Sequence, residues 1–297
     1  MERRNLYQEV TDKVINELKK GVIPWAKPWR GGAAVSHTTG GAYTFLNQML
    51  ISFSSSASVV GGEYLTFKQV KKEGGSVRKG EKSALIIFYC TDYQTKEKDE
   101  DGNEIIVNHI YDYPVLRAYN VFEVSQCEGI ERRHTIAPPS EGGEVLPTSE
   151  RAEAIATAYL QGAGIPLIQR YSDQAAYSLT YDKIVMPTRE QFEDMGRYYS
   201  TLFHELTHST GADSRLKRDM SGRFGSKNYA REELVAEMGA AYLSAIVGTA
   251  DENSVKASAS YIEDWSRKLK EDNKLIVYAA SKAQRAAEYI LSFSEGK

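Results

Sequence analysis

The sequence predicts an α+β fold in two domains, and three observations carry that reading. The first half mixes strand-like and short helical patterns around a long hairpin. Residues 131–148 contain Pro138, Pro139, Gly142, Gly143 and Pro147 with few large apolar side chains, which is the composition of a linker. Beyond it, a few short strand patterns give way to a series of amphipathic helices. The expected division is therefore a domain over 1–130, a linker over 131–148 and a second domain over 149–297.

In order along the chain, Leu6, Val10, Val14 and Leu18 recur at helical spacing, and Gly21 is placed to stop that helix. Two Pro-Trp pairs follow, Pro24-Trp25 and Pro28-Trp29, in a segment that proline keeps extended. Residues 43–51 are apolar around Asn47, and 64–72 read as a short helix ended by Gly74-Gly75. Residues 84–89 and 105–110 read as strands of a long hairpin with Asp101-Gly102 at its turn, and 116–124 as a further strand. Ser149 suits the N-cap of a helix closed by Gly162 and Gly164. Short strands are expected at 165–170, 176–179 and 183–186. Helices are expected at 198–209, 231–247, 254–270 and 274–293.

Hydrophobic residues make up 41% of the chain and charged residues 26%, enough apolar mass for a packed core. A net charge of −3 excludes a uniformly basic nucleic-acid coat while leaving room for a local basic surface. Two cysteines, Cys90 and Cys127, make no disulfide framework. The charged first twenty residues do not resemble a signal peptide, and no apolar run is long enough to span a bilayer. A cytoplasmic protein without a membrane partner is expected. Oligomeric state is not legible.

The sharpest motif is His204-Glu205-Leu206-Thr207-His208. Histidines four apart on a helix share a face, so both imidazoles can bind one divalent ion. Glu205, beside the first ligand, is placed to act as catalytic base and then acid, with Leu206 turned to the core. A catalytic zinc site needs a third protein ligand. The metzincin spacing would put it at Ser214, which is not a ligand type, and Asp213 is one residue short. The stretch Arg231-Glu232-Glu233-Leu234-Val235-Ala236-Glu237 offers instead two glutamates one turn apart. Glu233 is expected as the ligand with Glu237 supporting a histidine, and the reverse assignment stays open. Two histidines and a carboxylate suit Zn2+, with Mn2+ also tolerated. Residues 183–186 are a candidate edge strand for a peptide, and Tyr229 a candidate oxyanion donor.

The first half has a second pattern. Outside the acidic hairpin segment 92–112, residues 1–135 hold 16 basic against 10 acidic residues, clustered at Lys68, Lys71, Lys72, Arg78, Lys79 and Lys82. Aromatic residues are interleaved, among them Trp25, Trp29, Tyr43, Phe45, Tyr64, Phe67, Tyr89 and Tyr119. Cations that follow phosphates and rings that stack on bases are what single-stranded nucleic acid requires. The same residues would also make an ordinary aromatic core under a solvated lysine face. Arg215, Lys217, Arg218, Arg223 and Lys227 are placed to extend such a track toward the histidines.

Taken together, several stretches resemble one family. Pro24-Trp25 with Pro28-Trp29, Tyr64-Leu65-Thr66-Phe67-Lys68-Gln69, Val77-Arg78-Lys79-Gly80-Glu81-Lys82 and Tyr119-Asn120-Val121-Phe122 resemble the N-terminal domain of ArdC-type antirestriction proteins, which TraC-type plasmid primases share. Tyr181-Asp182-Lys183-Ile184-Val185-Met186-Pro187, the segment 198–208, Arg215-Leu216 and 231–237 resemble the family's zincin-like metallopeptidase domain. The resemblance implies a protein of conjugative plasmids that binds single-stranded DNA, protects incoming DNA from host restriction, and carries a metal-bearing second domain. The intact Glu205 between two ligands leaves open the alternative of a soluble zinc metallopeptidase whose first domain recognises a protein substrate.

Overall fold

The computed structural model describes residues 4–26, 33–54, 61–98, 104–134, 148–223, 225–249 and 258–294. Trp29 and most of the expected linker lie outside the described residues.

Helix α1 (Leu6–Lys19) starts where the Asn5 side chain accepts the Gln8 N–H at 3.2 Å. It buries Val10, Val14, Ile15 and Leu18, and Gly21 follows in the left-handed region at φ +82. After β1 (Val35–Ser36), the apolar run around Asn47 forms α2 (Phe45–Ser54). β2 (Glu63–Thr66) leads straight into α3 (Phe67–Lys72), with Thr66 and Gln69 forming a capping box. β3 (Ser76–Val77) pairs with β6 (Cys127–Glu128).

Between these run the two longest strands, β4 (Ala84–Lys98) and β5 (Glu104–Glu123), antiparallel throughout with a register shift between Cys90 and Asp92. The two strands expected at 105–110 and 116–124 are thus one. The sheet order is β1-β2-β5-β4, so β4 is an edge strand. Asn47 of α2 covers that edge: its amide takes both backbone groups of Ile87 at 2.9 Å, which satisfies a buried asparagine. Among the described residues β2 pairs only with residues 121–123 of β5, leaving 115–120 with a strand neighbour on the β4 side alone.

The second half opens with α4 (Thr148–Ala163), which takes in Ser149 as a helical residue. β7 (Leu167–Gln169), β8 (Ala176–Ser178) and β9 (Lys183–Met186) form a sheet in the order β7-β9-β8. β9, expected as an edge, is therefore central, and β8 is the edge that passes the histidines. Then come α5 (Met195–Ser209), α6 (Lys227–Val247), α7 (Ala259–Glu271) and α8 (Leu275–Leu291). α5 and α6 cross closely: a Cβ at Gly239 would lie 2.6 Å from Thr207. That approach sets the third-ligand helix against the histidine helix.

The largest apolar cluster draws on both halves. Val10, Val14, Leu18, Trp25, Met49 and Leu85 pack with Leu234, Met238, Trp265, Leu269 and Ile276. A second cluster joins α4, α5, α8 and β9. Each large side chain buried this way contributes roughly 1.5–3 kcal/mol. Separating the halves would uncover many of them at once. We therefore expect the full chain to unfold in a single calorimetric transition. Two resolved transitions would show that each half is stable alone.

Candidate metal centre

α5 begins at Asp194, whose carboxylate caps the helix by accepting the Arg197 N–H at 2.8 Å. It buries Leu202, Phe203, Leu206 and Ser209 and turns His204 and His208 toward α6. The two imidazoles face each other, Nε2 to Nε2, at 3.0 Å. From α6, Glu233 brings one carboxylate oxygen to 3.6 Å from His204 Nε2 and the other to 3.6 Å from His208 Nε2. Among the described residues these three form a group whose donor atoms all lie within 4.8 Å of one another. Two nitrogen lone pairs aimed at each other beside a carboxylate suit a shared cation, so the donor set fits a divalent metal. Burial disfavours a charged His204, but the hydrogen bond it donates to Glu233, together with the charges of Glu205, Glu233 and Glu237, outweighs burial and raises its pKa. Glu233 is correspondingly held below the usual carboxylate range against the effect of burial.

His208 is held from its other side as well. Its Nδ1 lies 3.1 Å from Glu232, which makes Nδ1 the proton-bearing atom and leaves Nε2 open to a ligand. Glu232 is itself gripped by Arg218, Nε to one oxygen at 2.9 Å and a terminal nitrogen to the other at 2.7 Å. Arg218 also donates to Thr210 Oγ1 and to the Thr207 carbonyl, and is 7% exposed. Burial pushes the Glu232 carboxyl up, but Arg218 and His208 hold it below its ordinary value.

Sequence spacing favours Glu237 for the supporting role and leaves the reverse assignment open. The structure gives Glu237 other partners: the Trp25 indole N–H donates to it at 3.1 Å and the Tyr261 hydroxyl to the same oxygen. Burial raises its pKa. Trp25, expected to face DNA, is only 2% exposed and meets Trp265 edge-on at 6.0 Å. A base cannot stack on a ring buried in this way. Trp25, Glu237 and His204 instead line one cavity of about 710 Å³ between the two halves.

Glu205 is 7% exposed, and one of its carboxylate oxygens accepts the Tyr177 N–H of β8 at 2.6 Å. β8 is tied down in turn. The Tyr177 hydroxyl donates to Asp182 at 2.7 Å, and Arg215 bonds Asp182, the Tyr177 hydroxyl at 3.0 Å and the Ser209 carbonyl at the end of α5. Asp182 sits in the left-handed region at φ +45, and Arg215 holds its carboxyl below the ordinary value. Arg215 and Arg218 are thus internal ties, not part of an exposed basic track; Lys217, Arg223 and Lys227 are exposed. Tyr229 hydrogen-bonds Glu233, and burial with that carboxylate raises its pKa to about 12. A groove of about 450 Å³ runs past β8, both histidines, Glu205, Tyr229 and Glu233.

Lys68, Lys71, Lys72, Arg78, Lys79 and Lys82 are all exposed, on α3 and the turn that follows β3. Sequence reasoning missed Glu232 and Arg218. The only available signal was the doubled Arg231-Glu232-Glu233, where adjacent carboxylates about 100° apart on a helix can flank one neighbouring ring.

Comparison with known proteins finds two family models along the chain. A model of the N-terminal domain of anti-restriction factor ArdC matches residues 4–122, and a zincin-like metallopeptidase model matches 151–282. The chain is 32% identical to a DNA primase TraC of Escherichia coli over 99% of its own length, which spans 28% of that primase. It is 34% identical to an uncharacterized protein, y4eC, of Sinorhizobium fredii, over 96% of this chain and 91% of that one. Crystal structures of the antirestriction ArdC protein from the R388 plasmid superpose with TM-scores of 0.70, metal-free, and 0.71, Mn(II)-bound. Identity to them is 32% and 31%, with at least 98% of each chain covered.

Proposed function

The chain belongs to the family of ArdC antirestriction proteins, and from that premise we propose that it binds single-stranded DNA through its first half, shields incoming plasmid DNA from restriction, and holds a divalent metal at His204, His208 and Glu233. The observation that carries the DNA reading is the exposed basic unit of α3 and the following turn, with six cations and the half-exposed Phe67. Cations of this kind replace the counterions condensed on phosphates. Binding to single strands should therefore weaken steeply with salt. With about four phosphate contacts, a fourfold rise in salt lowers affinity by roughly 50-fold. Titrating labelled oligonucleotide with the full chain at two salt concentrations checks this. Salt-insensitive binding, or none, removes the reading.

The metal site supports a second activity. A divalent cation bound there would polarise a carbonyl and acidify a water. Two imidazoles and one carboxylate favour Zn2+, while Mn2+ tolerates the same donors. Glu205 then carries the proton from the attacking water to the leaving nitrogen, held for this by the Tyr177 N–H. The edge strand β8 borders the groove and suits an extended peptide, so the substrate class is protein. Among the described residues no helix is long and apolar enough to cross a membrane.

A further inference from the structure

The lysines of α3 account for phosphates but supply few faces for bases. Those faces lie on the neighbouring sheet. Phe88 of β4 stands opposite Arg117 of β5, and Ile86 stands opposite Tyr119, so Phe88 and Tyr119 are diagonal neighbours on one face. Their ring centroids are 6.1 Å apart, and Tyr43 backs Phe88 at 6.3 Å. Toward the other end this face is closed by Ala84, Ile86 and Val121 packed with Ala34, Ile51 and Tyr64. That cover ends before Phe88 and Tyr119, which are each 38% exposed.

Among the described residues the same place is an open strand edge, because β2 leaves β5 at Val121. A groove of about 350 Å³ follows this edge, lined by Arg4, Leu6, Leu116, Arg117, Ala118 and Tyr119. Arg117 hydrogen-bonds Tyr119, and Arg4 shares its charge with Glu9 at 2.8 Å. α3 begins where β2 would have continued along β5 and touches β5. Its Phe67 is 51% exposed, with Lys71 over the ring at 5.8 Å. In the opposite direction β4 and β5 continue past Asp92 and Ile110, and the sequence 92–112 holds seven acids against two bases, a composition that repels a polyanion.

We infer that the Phe88–Tyr119 face is the base-stacking site of the proposed DNA-binding half, with Arg117 on the intervening phosphate and the strand leading toward Phe67, Lys68 and Lys71. The inference rests on the single-strand reading above and names its site. Rings flanked by guanidinium and ammonium groups match a chain that alternates flat bases with phosphates. Duplex DNA does not fit, because its bases are already stacked on each other.

The test uses the full chain with a labelled oligothymidylate and a duplex of the same length at one low salt concentration. Phe88→Ala and Tyr119→Ala should each weaken single-strand binding about tenfold, while Tyr119→Phe stays near wild type. Tyr171→Ala, which removes a ring 88% exposed in the second half, should change nothing. Ultraviolet crosslinking of the unmodified chain to the oligonucleotide, mapped by mass spectrometry, should mark Phe88 or Tyr119 and needs no variant to fold. If folded Phe88→Ala and Tyr119→Ala bind as wild type, or crosslinks fall only elsewhere, this site is wrong although the DNA reading stands. If the unmodified chain binds no DNA, both fall together.

Discussion

Replacing Arg218 by methionine is expected to lower the melting temperature by roughly 10 °C. The guanidinium is 2% exposed at its side chain and holds both oxygens of Glu232. Without it a carboxylate remains in the interior beside α5, and breaking one side of a buried pair typically costs about 3–5 kcal/mol. A kilocalorie moves the melting temperature of a protein of this size by roughly 2–4 °C. Arg218→Met combined with Glu232→Leu should recover much of the loss, because no uncompensated charge remains. Metal affinity should nonetheless stay reduced about 10–100-fold in the double variant, since His208 has lost the partner of its Nδ1. Differential scanning calorimetry with and without added Zn2+ separates the two effects. An unchanged melting temperature for Arg218→Met would mean the tie carries no net stability.

Glu205→Gln is expected to keep the proposed metal and lower the proposed peptide hydrolysis by about 10²–10⁴-fold. The amide preserves size and can still accept the Tyr177 N–H, so the groove should keep its shape. What disappears is the group that takes and returns a proton. His208→Ala should behave differently, abolishing the stabilisation that added metal gives, which is roughly 2.7 kcal/mol at a hundred times the dissociation constant. Thermal shifts with Zn2+ and Mn2+ read the first property, and a peptide-library cleavage assay reads the second. If Glu205→Gln lost the metal-induced shift as well, Glu205 would be part of the binding set and the proton-carrying role would fail.

What the sequence made legible follows the range over which its signals act. The helices α1, α5, α6 and α8 stand close to where periodic apolar residues placed them, because one buried stripe every 3.6 residues is a local property. The His204–His208 pairing was legible for the same reason, and α6 does bring Glu233 to both rings. The hairpin was seen, but its bulge between Cys90 and Asp92 hid the continuity of β5. Glu232, Arg218 and the burial of Trp25 were out of reach. Each depends on partners 14 to 212 positions away, and no spacing rule connects them. Trp25 shows the hazard of reading aromatic content as a binding surface: the indole that looked like a base platform is a core residue joining the halves.

That junction bears on how such proteins are assembled over evolutionary time. The stretch alike in the much longer TraC primases runs through 99% of this chain, covering both family segments together. With Trp25 bonded to Glu237 and α1 packed against α7 and α8, recombination between the two segments would hand each new host a half with its apolar side bare. The unit that can be moved between genes without loss of folding is the pair, so the ArdC N-terminal-type segment and the zincin-like segment are expected to be inherited as one cassette.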